Sequence, residues 1–306
     1  MSIDTEIEAV DDIFQEGKVV DGFVLGQEVH RGGMASLFSA TKEGIDVPIL
    51  LKIPRVGKDQ PVESLIGFET ELTILRSLKS PYVPKFLGAG NMATRPYIAM
   101  EKVEGRTLED LIKDGKEFTI DEVIKIGIDL AQAVQSLHSQ DAIHLDIKPE
   151  NILISRDGRV KIADFGLARG SSLGGTLTVE SSIVLGSVSY LSPEQVERGI
   201  SDARSDIYSF GIMCFELLTG EKPYDGDTPI QIAFKHVKER VPLVSTLREG
   251  IPPALDEVIY RATSPDPDKR QRNGAELLEE LQVIQLTLDP RRSQLSLDLD
   301  LPLENP

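Results

Sequence analysis

The sequence predicts a two-lobed α+β protein, with a small β-rich unit carrying one main helix ahead of a larger, mostly helical unit. Three observations carry this reading. Strand-like segments crowd the first hundred residues, apolar stripes of helical period dominate after Gly105, and no internal repeat relates the two parts. A chain of 306 residues is long enough to give both units a buried core.

Residues 23–31 and 34–41 read as two strands flanking Gly32-Gly33, and 47–54 (VPILLKIP) as a third, closed by Pro54. A helix follows, with Pro61 near its start and Leu65, Phe68, Leu72, Leu75 and Leu78 at spacings of three and four. Residues 85–91 and 96–101 read as two further strands. Beyond Gly105, Ile124, Ile128, Ala131 and Val134 form one helical stripe. Ile207, Phe210, Cys214 and Leu217 form another, ended by Gly220, and the last helices fit 253–263 and 274–287. The change of character near 101–105 predicts a cleft between the lobes.

Charge and cysteine content narrow the function classes. The chain has 33 Lys and Arg against 50 Asp and Glu, a formal charge of −17 and a pI near 4.7. Nucleic-acid phosphates are gripped by clustered Lys and Arg, so no nucleic-acid partner is expected. Residues 1–21 hold seven acids and one base (net −6), and 289–306 four acids and two bases (net −2), which leaves −9 for 22–288. The folded body is therefore expected over 22–288, between an acidic N-terminal tail and a C-terminal tail. No apolar run reaches the roughly 18 residues that cross a bilayer. The first residues lack the basic and apolar regions of a secretory signal, and the one cysteine, Cys214, has no internal disulfide partner. A cytoplasmic protein without a membrane span is expected.

Chemistry concentrates in two stretches. His144-Leu145-Asp146-Ile147-Lys148-Pro149-Glu150-Asn151 brings an acid, a base and an amide together, on a turn that Pro149 stiffens. Asp164-Phe165-Gly166 follows at the end of the apolar segment Val160–Ala163. A carboxylate and an amide oxygen so held are hard ligands, suited to Mg²⁺ that also holds phosphates. Either stretch alone reads better as a polar loop; their spacing, with Lys52 on an earlier strand, does not.

Together with Ile49-Leu50-Leu51-Lys52, these stretches resemble the protein kinase family over roughly 22–288. Ser192-Pro193-Glu194-Gln195 and Gly32-Gly33-Met34 are most similar to its bacterial serine/threonine branch. The resemblance implies the two-lobed kinase fold: an N-lobe (22–101) with a small antiparallel sheet and one main helix, a hinge (101–105) and a mostly helical C-lobe (106–288). It also implies transfer of the ATP γ-phosphoryl group to Ser/Thr hydroxyls of protein substrates, with Mg²⁺ or alternatively Mn²⁺. By the same resemblance, Lys52, fixed by Glu71, holds the phosphates, and Asn151 and Asp164 hold the metal. Asp146 orients the acceptor hydroxyl and takes its proton, Lys148 stabilises the migrating charge, and Ser187 bridges these two. Val29, His30, Gly32, Gly33 and Leu37 form the nucleotide loop, and Met100, Glu101 and Val103 border the adenine. Glu194 is expected to pair with Arg270, and Asp206 to accept hydrogen bonds from the catalytic-loop backbone.

Several positions depart from the family pattern. His30 and Ala35 replace the outer glycines of the loop, and a Cβ at 30 is expected to stiffen the loop or weaken nucleotide binding. Leu50 is larger than the usual alanine. Leu145 replaces an arginine that binds a phosphorylated activation segment, which implies weak dependence on such phosphorylation. The segment 170–182, with Thr176, Thr178, Ser181 and Ser182, is a candidate for autophosphorylation. His144 reads as a packing residue beneath Asp164 and Phe165, and Cys214 as core. His30, Ala35 and Leu145 keep open a pseudokinase scaffold that binds nucleotide without turnover. A small-molecule phosphotransferase shares the core but leaves Gly186–Glu194 unexplained.

The tails carry weaker signals. Ile3, Ile7, Val10 and Phe14 fit one face of a short helix that docks on a lobe or a partner. Leu295, Leu297, Leu299, Leu301 and Leu303 alternate with mostly polar residues, a period suited to a strand through which 289–306 docks on a partner. Disorder is the competing reading of both tails.

Overall fold

The computed structural model describes residues 14–32, 35–55, 62–170, 188–199 and 201–288, with 62–65 given by backbone alone. Several expectations lie outside the described residues: Gly33, Met34, Pro61, the segment 171–187 with Ser187, the tail positions Ile3, Ile7 and Val10, and 289–306.

The N-terminal lobe is a sheet of six antiparallel strands: β1 (Val19–Val20), β2 (Phe23–Arg31), β3 (Ala35–Lys42), β4 (Ile45–Pro54), β5 (Phe86–Ala89) and β6 (Ile98–Glu101), in the order β1-β2-β3-β4-β6-β5. Alternation of apolar and polar residues turns Leu25, Ile49, Leu51, Ile53, Tyr97 and Ala99 into one core. Strands β5 and β6 are shorter than the expected 85–91 and 96–101, because their facing ends form a turn in which Gly90 N–H donates to the Tyr97 carbonyl at 3.0 Å. A Cβ on Gly90 would stand 2.0 Å from the Arg95 carbonyl oxygen, so only glycine fits there.

Part of the expected acidic tail is built into this lobe. Phe14 is buried in its core with its ring edge-on to Tyr97, centroids 6.4 Å apart, and Val20 beside it is buried in β1. Asp21 accepts a hydrogen bond from Tyr97 Oη at 2.9 Å and lies 3.2 Å from Arg95. Charge content alone placed the boundary at 22; the apolar residues 14 and 20 move it earlier.

Helix α1 (Val62–Ser77) packs Phe68, Ile74 and Leu75 inward. Its face of three- and four-residue spacing also carries Glu71, buried between Phe68 and Leu75.

The second lobe holds β7 (Gly105–Thr107), α2 (Leu108–Lys113), α3 (Ile120–His138), β8 (Ala142–Ile143), β9 (Ile152–Ser155), β10 (Val160–Ile162), β11 (Arg169–Gly170), α4 (Pro193–Arg198), α5 (Ala203–Thr219), α6 (Pro229–Lys238), α7 (Pro253–Ala262) and α8 (Gly274–Leu288). Thr119 and Glu122 close a reciprocal cap at the start of α3, and Gly220 ends α5 with φ +80°. Fourteen consecutive residues of α5, Ser205 to Leu218, are buried, which makes it the central post of the lobe. The small sheet β10-β9-β7 and the β8·β11 pair were not expected, since strands of two to four residues are too short to show a period. No helix among the described residues is long and apolar enough to cross a membrane.

Candidate active site

The site lies where β4 and α1 of the first lobe face the segment 144–166 of the second. Register sets its roof: Leu37 of β3 pairs with Lys52 of β4, and Lys52 pairs with Ile98 of β6. Lys52 Nζ donates to Glu71 Oε2 at 2.5 Å and to Asp164 Oδ1 at 3.1 Å. Burial alone would lower the Lys52 pKa, but the carboxylates of Asp164 and Glu71 outweigh it and hold the amine charged. Burial raises Glu71 to about 7 against the opposing pull of Lys52, and Glu71 also accepts the Phe165 N–H. The Lys52 charge holds Asp164, whose side chain is half-exposed, down to about 2.

The floor is the segment that follows β8. Asp206, fully buried in the first turn of α5, accepts the N–H groups of His144 at 2.9 Å and Leu145 at 2.7 Å, and His138 Nε2 lies 2.8 Å away. These bonds hold Leu145 in the left-handed region, at φ +64°, which a leucine rarely adopts. That turn aims Asp146 at the cleft. Asp146 Oδ2 takes Lys148 Nζ at 2.8 Å and Asn151 Nδ2 at 2.9 Å, while its Oδ1 is buried with no partner among the described residues. Lys148 is pushed down by burial and up by Asp146, and the upward effect prevails. Asn151, on the 3₁₀ turn Pro149–Asn151, also donates Nδ2 to the Asp146 carbonyl at 2.8 Å, which leaves its Oδ1 as an acceptor.

Asp164 is joined to this floor by packing. His144 is fully buried, its ring edge-on to Phe165 at 4.8 Å, with Nε2 3.1 Å from the Ala163 carbonyl. Asp164 has φ +62°, and its Oδ1 accepts the Gly166 N–H at 3.3 Å. A Cβ on Gly67 of α1 would stand 3.0 Å from the Gly166 carbonyl oxygen. Glycine at 67 therefore lets α1 approach Gly166, and Glu71 one turn later reaches Lys52.

Six of the expected residues, Lys52, Glu71, Asp146, Lys148, Asn151 and Asp164, are thus brought into one linked cluster. Leu37 is half-buried beside Lys52, His30 pairs with Leu37 on β2, and Val29 stands exposed next to it. Met100 is buried at the end of β6, and Val103 is half-buried between β6 and β7. Among the described residues no three His, Cys, Asp or Glu close on a point as a metal site. A cation here would rest on the free oxygens of Asn151 and Asp164 together with oxygens of a ligand and water, a donor set that fits Mg²⁺ with phosphates.

Two contacts at a distance match expectation: the Asp206 bonds to the His144 and Leu145 N–H groups, and Arg270, which donates to both carboxylate oxygens of Glu194 at 2.8 and 2.7 Å. Ser205 Oγ also donates to Glu194, at 2.8 Å, a bond that was not expected. Other contributors were missed. Glu101 turns its side chain away to Lys161 of β10, whose Nζ donates to both oxygens at 2.9 and 2.7 Å. The Lys85 N–H also donates to that carboxylate at 3.1 Å, while the Glu101 N–H donates to the Lys85 carbonyl at 2.8 Å. The only sequence signal was a lysine inside the apolar segment Val160–Ala163.

A family model described as the protein kinase domain matches residues 23–286. A probable serine/threonine-protein kinase of Clostridium perfringens is 34% identical over 269 residues, covering 88% of this chain and 39% of the relative. A probable serine/threonine-protein kinase PknB of Lactococcus lactis is 34% identical over 271 residues (88% and 43%). The serine/threonine-protein kinase PknB of Mycobacterium tuberculosis is 34% identical over 265 residues (85% and 42%). The chain spans about two fifths of the length of these relatives.

Proposed function

This chain belongs to the protein kinase family, and from that premise we propose that it is an active, ATP-dependent serine/threonine kinase. The observation that carries the reading is the linked cluster Glu71–Lys52–Asp164 facing Lys148–Asp146–Asn151. A scaffold without turnover has no need of Asp146 Oδ1, a buried acceptor with no partner among the described residues, beside a charged lysine.

In the proposed reaction, Lys52 binds the nucleotide phosphates and is held in place by Glu71. Asn151 and Asp164 would hold Mg²⁺, which would supply positive charge against the phosphates. Asp146 Oδ1 accepts the hydrogen bond of a serine or threonine hydroxyl, then its proton as the oxygen bonds to the γ-phosphorus and the phosphorus–oxygen bond to the leaving ADP breaks. Lys148, 2.8 Å from Asp146, places positive charge beside the same oxygen. The Glu101 carbonyl and the Val103 N–H read the adenine edge, with Met100 at its side and Leu37 above. The family pattern assigns Ser187 to bridge Asp146 and Lys148, and the segment 170–182, with Thr176, Thr178, Ser181 and Ser182, is the candidate for autophosphorylation. The catalytic unit runs over 22–288, with the packed residues 14–21 added to its N-lobe and the C-terminal tail left for docking a partner.

Incubation of the protein with labelled ATP, Mg²⁺ and a generic protein acceptor, beside an Asp146→Asn control, tests the reading. Transfer to Ser/Thr that the control loses supports it. Nucleotide binding without transfer in a folded protein would leave the scaffold instead.

A further inference from the structure

The sheet register carries His30 into the cleft. His30 pairs with Leu37 across β2 and β3, and Leu37 pairs with Lys52 across β3 and β4. Residues directly opposite one another in antiparallel strands share a face. His30, Leu37 and Lys52 therefore form one row, and it is the cleft face, because Lys52 reaches Asp164 from it. Gly32, two residues beyond His30, follows on the same side. A Cβ on Gly32 would stand 3.4 Å from His30 Nε2, so the imidazole leans along the strand into room that this glycine leaves. Gly32 is itself braced: its N–H donates to the Ala35 carbonyl at 3.0 Å, and its own carbonyl accepts Arg55 Nη1 at 3.2 Å. The His30 ring is exposed, and neither of its nitrogens has a hydrogen-bond partner among the described residues.

We propose that His30 is a phosphate-binding residue, donating an imidazole N–H to the phosphate oxygens of the bound nucleotide. The proposal rests on the reading of this cleft as an ATP site. A neutral imidazole always keeps one N–H, and a bond from it to an anionic oxygen is charge-assisted. The side chain thereby replaces part of the grip that a loop with glycines at 30 and 35 obtains from close backbone approach. Position 30 on its own suggested a stiffened loop or a weakened nucleotide site; the proposal takes the opposite sign to the latter, since the register sets the side chain on the cleft face.

Calorimetric titration of the full chain with Mg²⁺ and ATP, ADP or adenosine tests this, with His30→Leu and His30→Asn as variants. His30→Leu is expected to weaken ATP and ADP by about tenfold, the scale of one hydrogen bond to a charged group, with adenosine unchanged. His30→Asn, which retains a donor, recovers most of the loss. Unchanged ATP affinity in His30→Leu, or an equal loss for adenosine, overturns the role of His30 and leaves the ATP site standing. A wild-type chain that binds none of the three overturns the ATP reading and the His30 proposal with it.

Discussion

The floor of the cleft is held by a web of bonds to α5, to its own turn and to the ring of His144, whereas the described part of the β2–β3 turn in its roof is held by two bonds, Gly32 to Ala35 and Arg55 to Gly32. On the floor, Asp206 fixes His144 and Leu145, Asn151 fixes Asp146, and the ring of His144 fixes Phe165. The difference follows the chemistry proposed for each wall. Proton and phosphoryl transfer lose rate steeply when a group moves by a fraction of an ångström, while gripping a polyphosphate can be shared among several donors. Accordingly His30, Ala35 and Leu50 depart from the family pattern on the roof, and the polar groups of the floor do not. Leu145 only looks like an exception, because the floor uses its backbone, and its side chain is buried.

The comparison is most exposed at Asp146. Asp146→Asn is expected to lower kcat by about a thousandfold, the range of a lost general base, with nucleotide affinity kept. A roof change, Gly32→Ala, should cost about tenfold and mainly in KM, since its Cβ meets the Ala35 carbonyl at 3.3 Å and the loop can give. Steady-state kinetics with calorimetry separates the two, and equal losses in kcat would erase the distinction between the walls.

Next in size is the anchor beneath the floor. Asp206→Ala strands two buried backbone N–H groups and His138, and should destabilise the protein by about 3 kcal/mol in chemical denaturation, with loss of activity. A change below about 1 kcal/mol would show that the floor holds itself.

A pH series bears on the roof. Glu71, raised from 4.5 to about 7, must be ionised to hold Lys52, so kcat/KM is expected to fall as pH drops through 7. Stability runs the other way. A carboxyl whose folded pKa is raised favours the fold below pH 4.5, and that contribution is lost as pH rises through 7. Glu71→Gln should flatten both trends, and an acid limb that survives the change assigns it to another group.

The smallest effect concerns the activation segment. With leucine at 145, phosphatase treatment should change activity less than about threefold, for want of a cation there to bind the phosphate. A Leu145→Arg variant is the control in which dependence on phosphorylation would grow.

Much of this cleft was legible in sequence because its floor is local. Asp146, Lys148 and Asn151 lie within six residues, and a turn closed by Pro149 needs no distant help to bring them together. Lys52 and Glu71 were found through the family pattern, on a strand and a helix that the apolar spacing had marked. What escaped is non-local. The Glu101–Lys161 pair joins residues sixty positions apart, and Phe14 contacts Tyr97 across the whole N-lobe. Neither belongs to a periodic segment that announces its partner. The orientation of His30 depends on strand register, including a shift between Glu28 and His30 that alternation alone does not reveal.

The Glu101–Lys161 pair has a consequence for inhibitor chemistry. With both carboxylate oxygens occupied by Lys161 and Lys85, a competitor entering the cleft meets no free acidic side chain at that position, and a basic appendage aimed there gains nothing. Recognition must use main-chain groups, and discrimination between this cleft and those of its relatives falls to side chains: the thioether of Met100, the bulk of Leu50 and the imidazole of His30. A compound that contacts all three would read the features in which this cleft is most individual.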